Sequence, residues 1–297
     1  MNLEDAMTRK LLFTHVPKAG GSSIHVLLQQ IIGRRFVYRV KSRHMETKPT
    51  LAHLTQEEKD THVVFHGHFT YGVHESFSVP CAYMSVVRDP IDRFVSLYRF
   101  TIERGREDRR ERVKDLSFVD FFENVLMRQS RGLSRGAAQC RMVSGASTKD
   151  KIKAVIDNDY MMIGSVRQQN DMQDILLSMY GGEKRETLHA NRSQTVVVDK
   201  DQVADMRKKH GAEFEMDNWL VSYCEQKFDS FREAYARNPI CKPFDLTEVI
   251  SARRKIRNLH RIEEEYEELD KEITKMIRKN RRTRRASSRV PPEQNPF

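Results

Sequence analysis

Between residues 11 and 198, short apolar runs alternate with amphipathic stretches. Leu11, Leu12 and Phe13 open a run that continues through Thr14-His15-Val16 and breaks at Pro17; a bounded apolar run this short reads as a buried strand. Ile24, Leu27, Leu28 and Ile31 then fall at i, i+3, i+4 and i+7, the stripe of an amphipathic helix that Gly33 ends. The first unit is therefore strand, glycine-bearing loop, helix. Val63-Val64-Phe65, running into His66-Gly67-His68, predicts a second strand, and residues 83–87 a third. Arg88-Asp89-Pro90 closes the third: Asp89 suits an N-cap and Pro90 a first helical turn. Ile91, Phe94, Val95 and Tyr98 repeat the helical stripe. Residues 160–163 and 195–198 are the fourth and fifth strand candidates. Between them a helix through Ile175, Leu176 and Met179 stops at Gly181-Gly182. Strands alternating with helices predict an α/β fold of three layers, a central, mainly parallel sheet covered on both faces.

The pattern changes after Phe244. Leu259, Ile262, Tyr266, Leu269, Ile273 and Met276 step by 3, 4, 3, 4 and 3 among charged residues, which is heptad spacing. The division expected is a catalytic-type domain over residues 1–245, a charged helical extension over 246–286 that is a candidate coiled coil, and a disordered tail over 287–297. The extension would either join copies of the chain or pack along its own domain. Charge follows the same division. Residues 253–297 hold 14 Lys and Arg against 8 Asp and Glu, so +6 of the net +10 lies there. The remaining basic excess suits a polyanionic ligand, although a basic soluble surface explains it equally well. Cys81, Cys140, Cys224 and Cys241 are widely spaced, with no CxxC pair, so neither a metal finger nor a disulfide framework is expected. No run of 18 apolar residues exists, so no transmembrane helix is predicted.

The loop after the first strand, Pro17-Lys18-Ala19-Gly20-Gly21-Ser22-Ser23, carries the clearest chemistry. Paired glycines let the backbone approach an anion, and the following helix directs free N–H groups and the positive end of its dipole to the same place. Lys18 adds a charge, and the Ser22 and Ser23 hydroxyls add donors. A P-loop-like fold is expected, but the lysine precedes the glycines and no magnesium-binding carboxylate is evident, unlike the NTPase loop. On composition alone a structural turn fits as well.

His15-Val16-Pro17-Lys18-Ala19-Gly20-Gly21-Ser22-Ser23 resembles the 5′-phosphosulfate loop of sulfotransferases that use PAPS (3′-phosphoadenosine 5′-phosphosulfate), in the carbohydrate branch. Residues 85–99, SVVRDPIDRFVSLYR, are similar to the 3′-phosphate segment of the same family. Residues 162–177 resemble, more weakly, its strand–Gly–helix segment. The likeness spans roughly residues 9–200. It implies that Lys18 neutralises the oxygen bridging sulfur and the 5′-phosphate, and that backbone amides of Ala19, Gly20, Gly21, Ser22 and Ser23 hold that phosphate. It also implies that Arg88 and Ser96 reach the 3′-phosphate. PAPS would be the donor and PAP (adenosine 3′,5′-bisphosphate) the product, with no metal. A late polar segment closes over the adenosine 3′-phosphate in related folds, which makes Arg192 and Ser193 candidates; a solvated turn is the alternative.

Transfer to a hydroxyl calls for a base, most often a histidine. His66-Gly67-His68 stands at a strand end, where open α/β sheets place their sites. It resembles the HGH segment of uronyl 2-O-sulfotransferases, including the heparan sulfate enzyme. That resemblance assigns the base to His68, with His66 as the alternative and Glu75 behind both. A zinc pair or a structural histidine pair also fits the His-x-His spacing.

The function expected is O-sulfation of a carbohydrate, an anionic glycan among the candidate acceptors. A small-molecule kinase would need a magnesium carboxylate and a lysine after the glycines. A coiled-coil nucleic-acid-binding protein would leave residues 11–28 and 85–99 without a role, so no nucleic acid is expected. The N-terminus lacks the apolar stretch of a signal peptide, which predicts a cytoplasmic protein or a trimmed soluble lumenal domain of a Golgi-type enzyme.

Overall fold

Five parallel strands stand in the order β2-β3-β1-β4-β5. They are β1 (Lys10–Thr14), β2 (Val37–Val40), β3 (Val64–Gly67), β4 (Cys81–Val87) and β5 (Tyr160–Ser165). The computed structural model describes residues 9–40, 51, 54–126, 135–182 and 196–241. Contacts divide the chain between Phe244 and Asp245, and every described residue belongs to the first part. The heptad stretch, the tail, Arg192 and Ser193 lie outside the described residues.

The register explains how the sheet is buried. Leu12 stands beside Phe65 on one side and Tyr83 on the other. These three join one apolar cluster with Ile152 and Ile156 of α6 (Lys149–Asp159) and Leu220, Val221 and Cys224 of α9 (Glu215–Arg237). Phe13, one residue on, is paired with His66 and Met84 and points to the other face, because side chains alternate along a strand. There α1 (Gly21–Leu28) buries Ile24, Leu27 and Leu28 and lays His25 on His66. With both faces covered, the strands read as near-continuous apolar runs, as parallel strands do. The α/β architecture with a central parallel sheet flanked by helices is as predicted.

Two local features depart from expectation. β2 follows α1 almost directly, through a π turn (Gln29–Gly33) and a 3₁₀ turn (Arg34–Phe36). Its four residues carry too short a pattern to stand out. The strand expected at 195–198 is not a strand over its described residues, 196–198. Val198 instead packs in a second apolar cluster with Ile91, Phe94, Val95 and Tyr98 of α3 (Pro90–Arg104). Val196 N–H donates to Glu103 Oε1 at 3.2 Å, so this backbone donor is satisfied by a side chain rather than by a ladder. α3 itself begins as expected: Pro90 is in its first turn, and Asp89 accepts from Asp92 N–H at 2.9 Å.

Other helices of the domain include α2 (Gln56–Thr61), α4 (Glu107–Val113), α5 (Ala138–Ser144), α7 (Gln169–Met179) and α8 (Lys200–His210). All four cysteines are free. Among the described residues no helix is long and apolar enough to cross a membrane.

Candidate active site

The parallel order brings four strand ends to one rim. Thr14 ends level with Gly67 of β3 and Ser85 of β4, and Val87 is level with Ser165 of β5. The connection leaving β1 runs toward β2 and the one leaving its neighbour β4 runs toward β5, in opposite directions along the sheet. Ligands of open α/β sheets bind outside such a switch point, and the loop of residues 15–20 occupies it.

That loop is held in an uncommon conformation. Lys18 has φ 66°, the single positive value on a non-glycine residue among those described. An L residue there carries a steric cost, and such strain concentrates at functional sites. Gly20, at φ 89°, caps α1. A Cβ on Gly20 would lie 2.3 Å from Gln169 Oε1, and one on Gly21 would lie 2.4 Å from His15 Cδ2. Gly20 is required by its positive φ and Gly21 by the close His15 ring, and the turn is more than a flexible link. Of the five amides expected to face a phosphate, Ala19 N–H closes onto Val16 O at 3.2 Å and Ser23 N–H onto Gly20 O at 3.2 Å. Ala19 is fully buried and serves the turn. The amides left to an anion are those of Gly20, Gly21 and Ser22, at the start of a helix whose first N–H groups have no partner in its own ladder. Ser22 and Ser23 are half-buried beside them.

Cations gather around this loop. Lys18 Nζ lies 3.7 Å from the centroid of the Phe100 ring, a cation–π contact. Burial, and then the charges of Arg88 and Arg104, push Lys18 down to about 8 from 10.5. Arg88 Nη1 donates to Lys18 O at 3.3 Å, while its buried Nε has no hydrogen-bond partner. Burial also lowers Arg88 from its ordinary value. The neighbouring carboxylates are engaged elsewhere: Arg207 of α8 donates to Asp89 at 3.0 Å and to Asp92 at 2.6 Å. An orphaned guanidinium nitrogen, mutually repelling cations and a cradle that any Cβ would fill fit an anionic, phosphate-bearing donor. Ser96 is half-buried on α3, eight residues beyond Arg88.

Histidines form the other wall. His68 Nδ1 lies 2.7 Å from His15 O. A carbonyl only accepts, so Nδ1 carries the hydrogen and Nε2 is left as a proton acceptor. His66 Nε2 lies 3.1 Å from His15 Nδ1. The His66 ring is 3% exposed and packs against Phe13 and His25. Burial lowers all four rings, with Arg39 adding to the effect: His15 falls to about 3, and His25, His66 and His68 move in the same direction. His68 alone of the HGH pair is half-buried rather than enclosed. Glu75 stands at the opposite rim, lining a cavity of ≈ 460 Å³ with Arg9, Pro80 and Cys81 at the starts of β1 and β4. No group of three His, Cys, Asp or Glu among the described residues is arranged to hold a metal ion.

Several participants carry no motif of their own. His15 falls within the loop signature without an assigned role, and His25 lies on the flank of the helix stripe. Gln139 and Gln169 reach the site from α5 and α7, and only the fold brings them there.

The geometry describes an α/β protein with a glycine-bearing, cation-lined loop at the switch point of a parallel sheet. Residues 5–145 match the sulfotransferase family, by its family model. The match spans β1 through β4, α3 and α5, and so includes Lys18, the two glycines, the HGH segment, Arg88 and Ser96. It supports sulfuryl transfer, and PAPS is the donor this family generally uses. A comparison with curated proteins returns no significant match.

Proposed function

We propose that this protein transfers a sulfuryl group from PAPS to a hydroxyl of a carbohydrate, with His68 as the general base. PAPS, when bound, supplies the sulfuryl group on its 5′-phosphate. Gly20, Gly21 and Ser22 present amides to that phosphate, and Arg88 with Ser96 presents donors to the 3′-phosphate. The Lys18 ammonium meets the negative charge that develops as the bond from sulfur to the bridging oxygen breaks. Fixed charge aimed at such a position commonly contributes more to catalysis than any other single effect. His68 Nε2 takes the acceptor's proton as the new oxygen–sulfur bond forms.

One observation carries this reading: donor and acceptor machinery are fastened to the same stretch of main chain. Arg88 holds the carbonyl of Lys18, and His68 holds the carbonyl of His15, three residues earlier. The carbohydrate acceptor rests on the likeness of the His66-Gly67-His68 segment to uronyl 2-O-sulfotransferases. Two measurements test the proposal. PAP raises the melting temperature while ATP does not, and labelled PAPS passes its sulfur to members of a panel of neutral and acidic glycans. No stabilisation by PAP would refute the donor, and no glycan product the acceptor class.

A further inference from the structure

Resting on that reading, we propose that two glutamines outside the donor motifs, Gln139 and Gln169, are positioning residues, one for each phosphate-binding segment. Gln139 is fully buried. Its side-chain amide grips both polar atoms of the Arg88 peptide unit: Oε1 accepts from Arg88 N–H at 3.0 Å and Nε2 donates to Arg88 O at 2.7 Å. Arg88 is the first residue after β4 and has no strand partner of its own in the ladder. Gln139 therefore replaces the strand at the point where the guanidinium must be aimed. The glutamine is itself anchored. Asp217 of α9, fully buried, accepts from Gln139 N–H at 3.1 Å and Cys140 N–H at 3.2 Å, with the Arg93 charge beside it.

Gln169 does the corresponding work on the loop. Its Nε2 donates to Gly20 O at 3.0 Å, and its Oε1 fills the space over Gly20 where a side chain would stand. Gly20 O is also the acceptor for Ser23 N–H, so this contact fixes the carbonyl around which the first turn of α1 is built. α7 in turn follows a 3₁₀ turn (Val166–Gln168) that starts from a capping box between Ser165 and Gln168 at the end of β5. Gln169 and Asp217 both lie beyond residue 145, the end of the family match. The span between the 5′- and 3′-phosphate sites is thus set from outside the motifs that contact the donor.

The test is selective loss, which a general weakening of the fold does not produce. Calorimetry on the full chain compares adenosine 3′,5′-bisphosphate, adenosine 5′-phosphate and adenosine 3′-phosphate. Gln139→Met, of similar shape but without the amide, is expected to shrink the preference for bisphosphate over adenosine 5′-phosphate about tenfold, the scale of a lost buried hydrogen bond. The preference over adenosine 3′-phosphate stays. Gln169→Ala is expected to give the mirror image. Equal loss of all three ligands, or unchanged preferences, overturns the proposal. Should Gln139→Met not fold, Gln169→Ala at its half-buried site decides alone on the same criteria. A wild-type chain that binds no bisphosphate refutes the donor reading instead.

Discussion

His68 Nδ1 points at the main-chain oxygen of His15, 2.7 Å away, and this bond decides which nitrogen of His68 can receive a proton. It holds the ring at the rim while His66 sits enclosed behind it. His68→Ala is therefore expected to lower turnover by about 10²–10⁴-fold, the usual worth of a general base, with PAP affinity nearly unchanged. His66→Ala is expected to act less on turnover and more on stability. Paired kinetics check the assignment, and a dead His66→Ala beside an active His68→Ala would exchange the two roles.

Lys18 separates fold from function. In the proposed reaction its side chain is needed for transfer, but its backbone, at φ 66°, suits glycine. Both Lys18→Ala and Lys18→Gly are expected to lose most activity. Lys18→Gly should be the more stable of the two in thermal melts, by about 0.5–1 kcal/mol. A Lys18→Gly protein that transfers sulfate at the wild-type rate would remove the ammonium from the mechanism.

The same lysine predicts a pH dependence. In the free protein its cation is fully formed below about 8 and is lost above it, whereas a bound polyanion favours the charged form. PAP affinity should accordingly be level below pH 8 and fall as pH rises toward 9, and Lys18→Arg should flatten the fall. Calorimetry at pH 7 and 9 checks both. His15 acts on stability with the opposite sign. Its folded value, about 3, lies below the ordinary 6.5, so only the unfolded chain binds the proton between these values. Its contribution is complete above pH 6.5 and is lost as pH falls toward 3, at about 1.4 kcal/mol per pH unit. Thermal melts at pH 7 and pH 5 should differ accordingly, and less so in His15→Asn.

Arg88→Ala is expected to weaken PAP binding by about 2–4 kcal/mol, the cost of removing one partner from a desolvated charge pair. The melting temperature should change little, because the Gln139 clamp grips the main chain of residue 88 and not its side chain. Unchanged affinity in calorimetry would take Arg88 out of the donor site.

Gly20→Ala places a methyl where Gln169 Oε1 now lies. The side chain must withdraw, and its bond to Gly20 O breaks. The double variant Gly20→Ala/Gln169→Ala should lose no more affinity for the 5′-phosphate than Gly20→Ala alone, since contacting residues couple. Additive losses would show that the two positions act independently.

Much of this site is legible in the sequence because its chemistry is local. A lysine, two glycines and two serines between a strand and a helix mark a candidate anion loop within a few residues, and Arg88-Asp89-Pro90 marks a strand end and a helix start together. His66 and His68 are visible as a pair, and the resemblance ranks them, but the physical ground for a ranking, His15 one strand away and which ring is enclosed, is not visible in the sequence. Gln139, Gln169 and Asp217 leave no trace. A buried amide that clasps a peptide 51 residues away has no sequence period. The apolar run at 196–198 misleads because β-branched residues suit a sheet and a helix-packed loop alike.

The end of the family match at residue 145 is not the end of a foldable piece. β4 lies between β1 and β5, and β5 comes from residues 160–165. A fragment stopped at 145 would turn an interior strand into a raw margin. From Tyr83 to Val87 its backbone groups would be open to any passing chain, a known route to aggregation, and the side of the sheet that α6 and α9 cover would be bare. Expression trials, deletion series and grafts that retain only the recognisable segment would fail for want of that seam, while the residues proposed for the chemistry were all present.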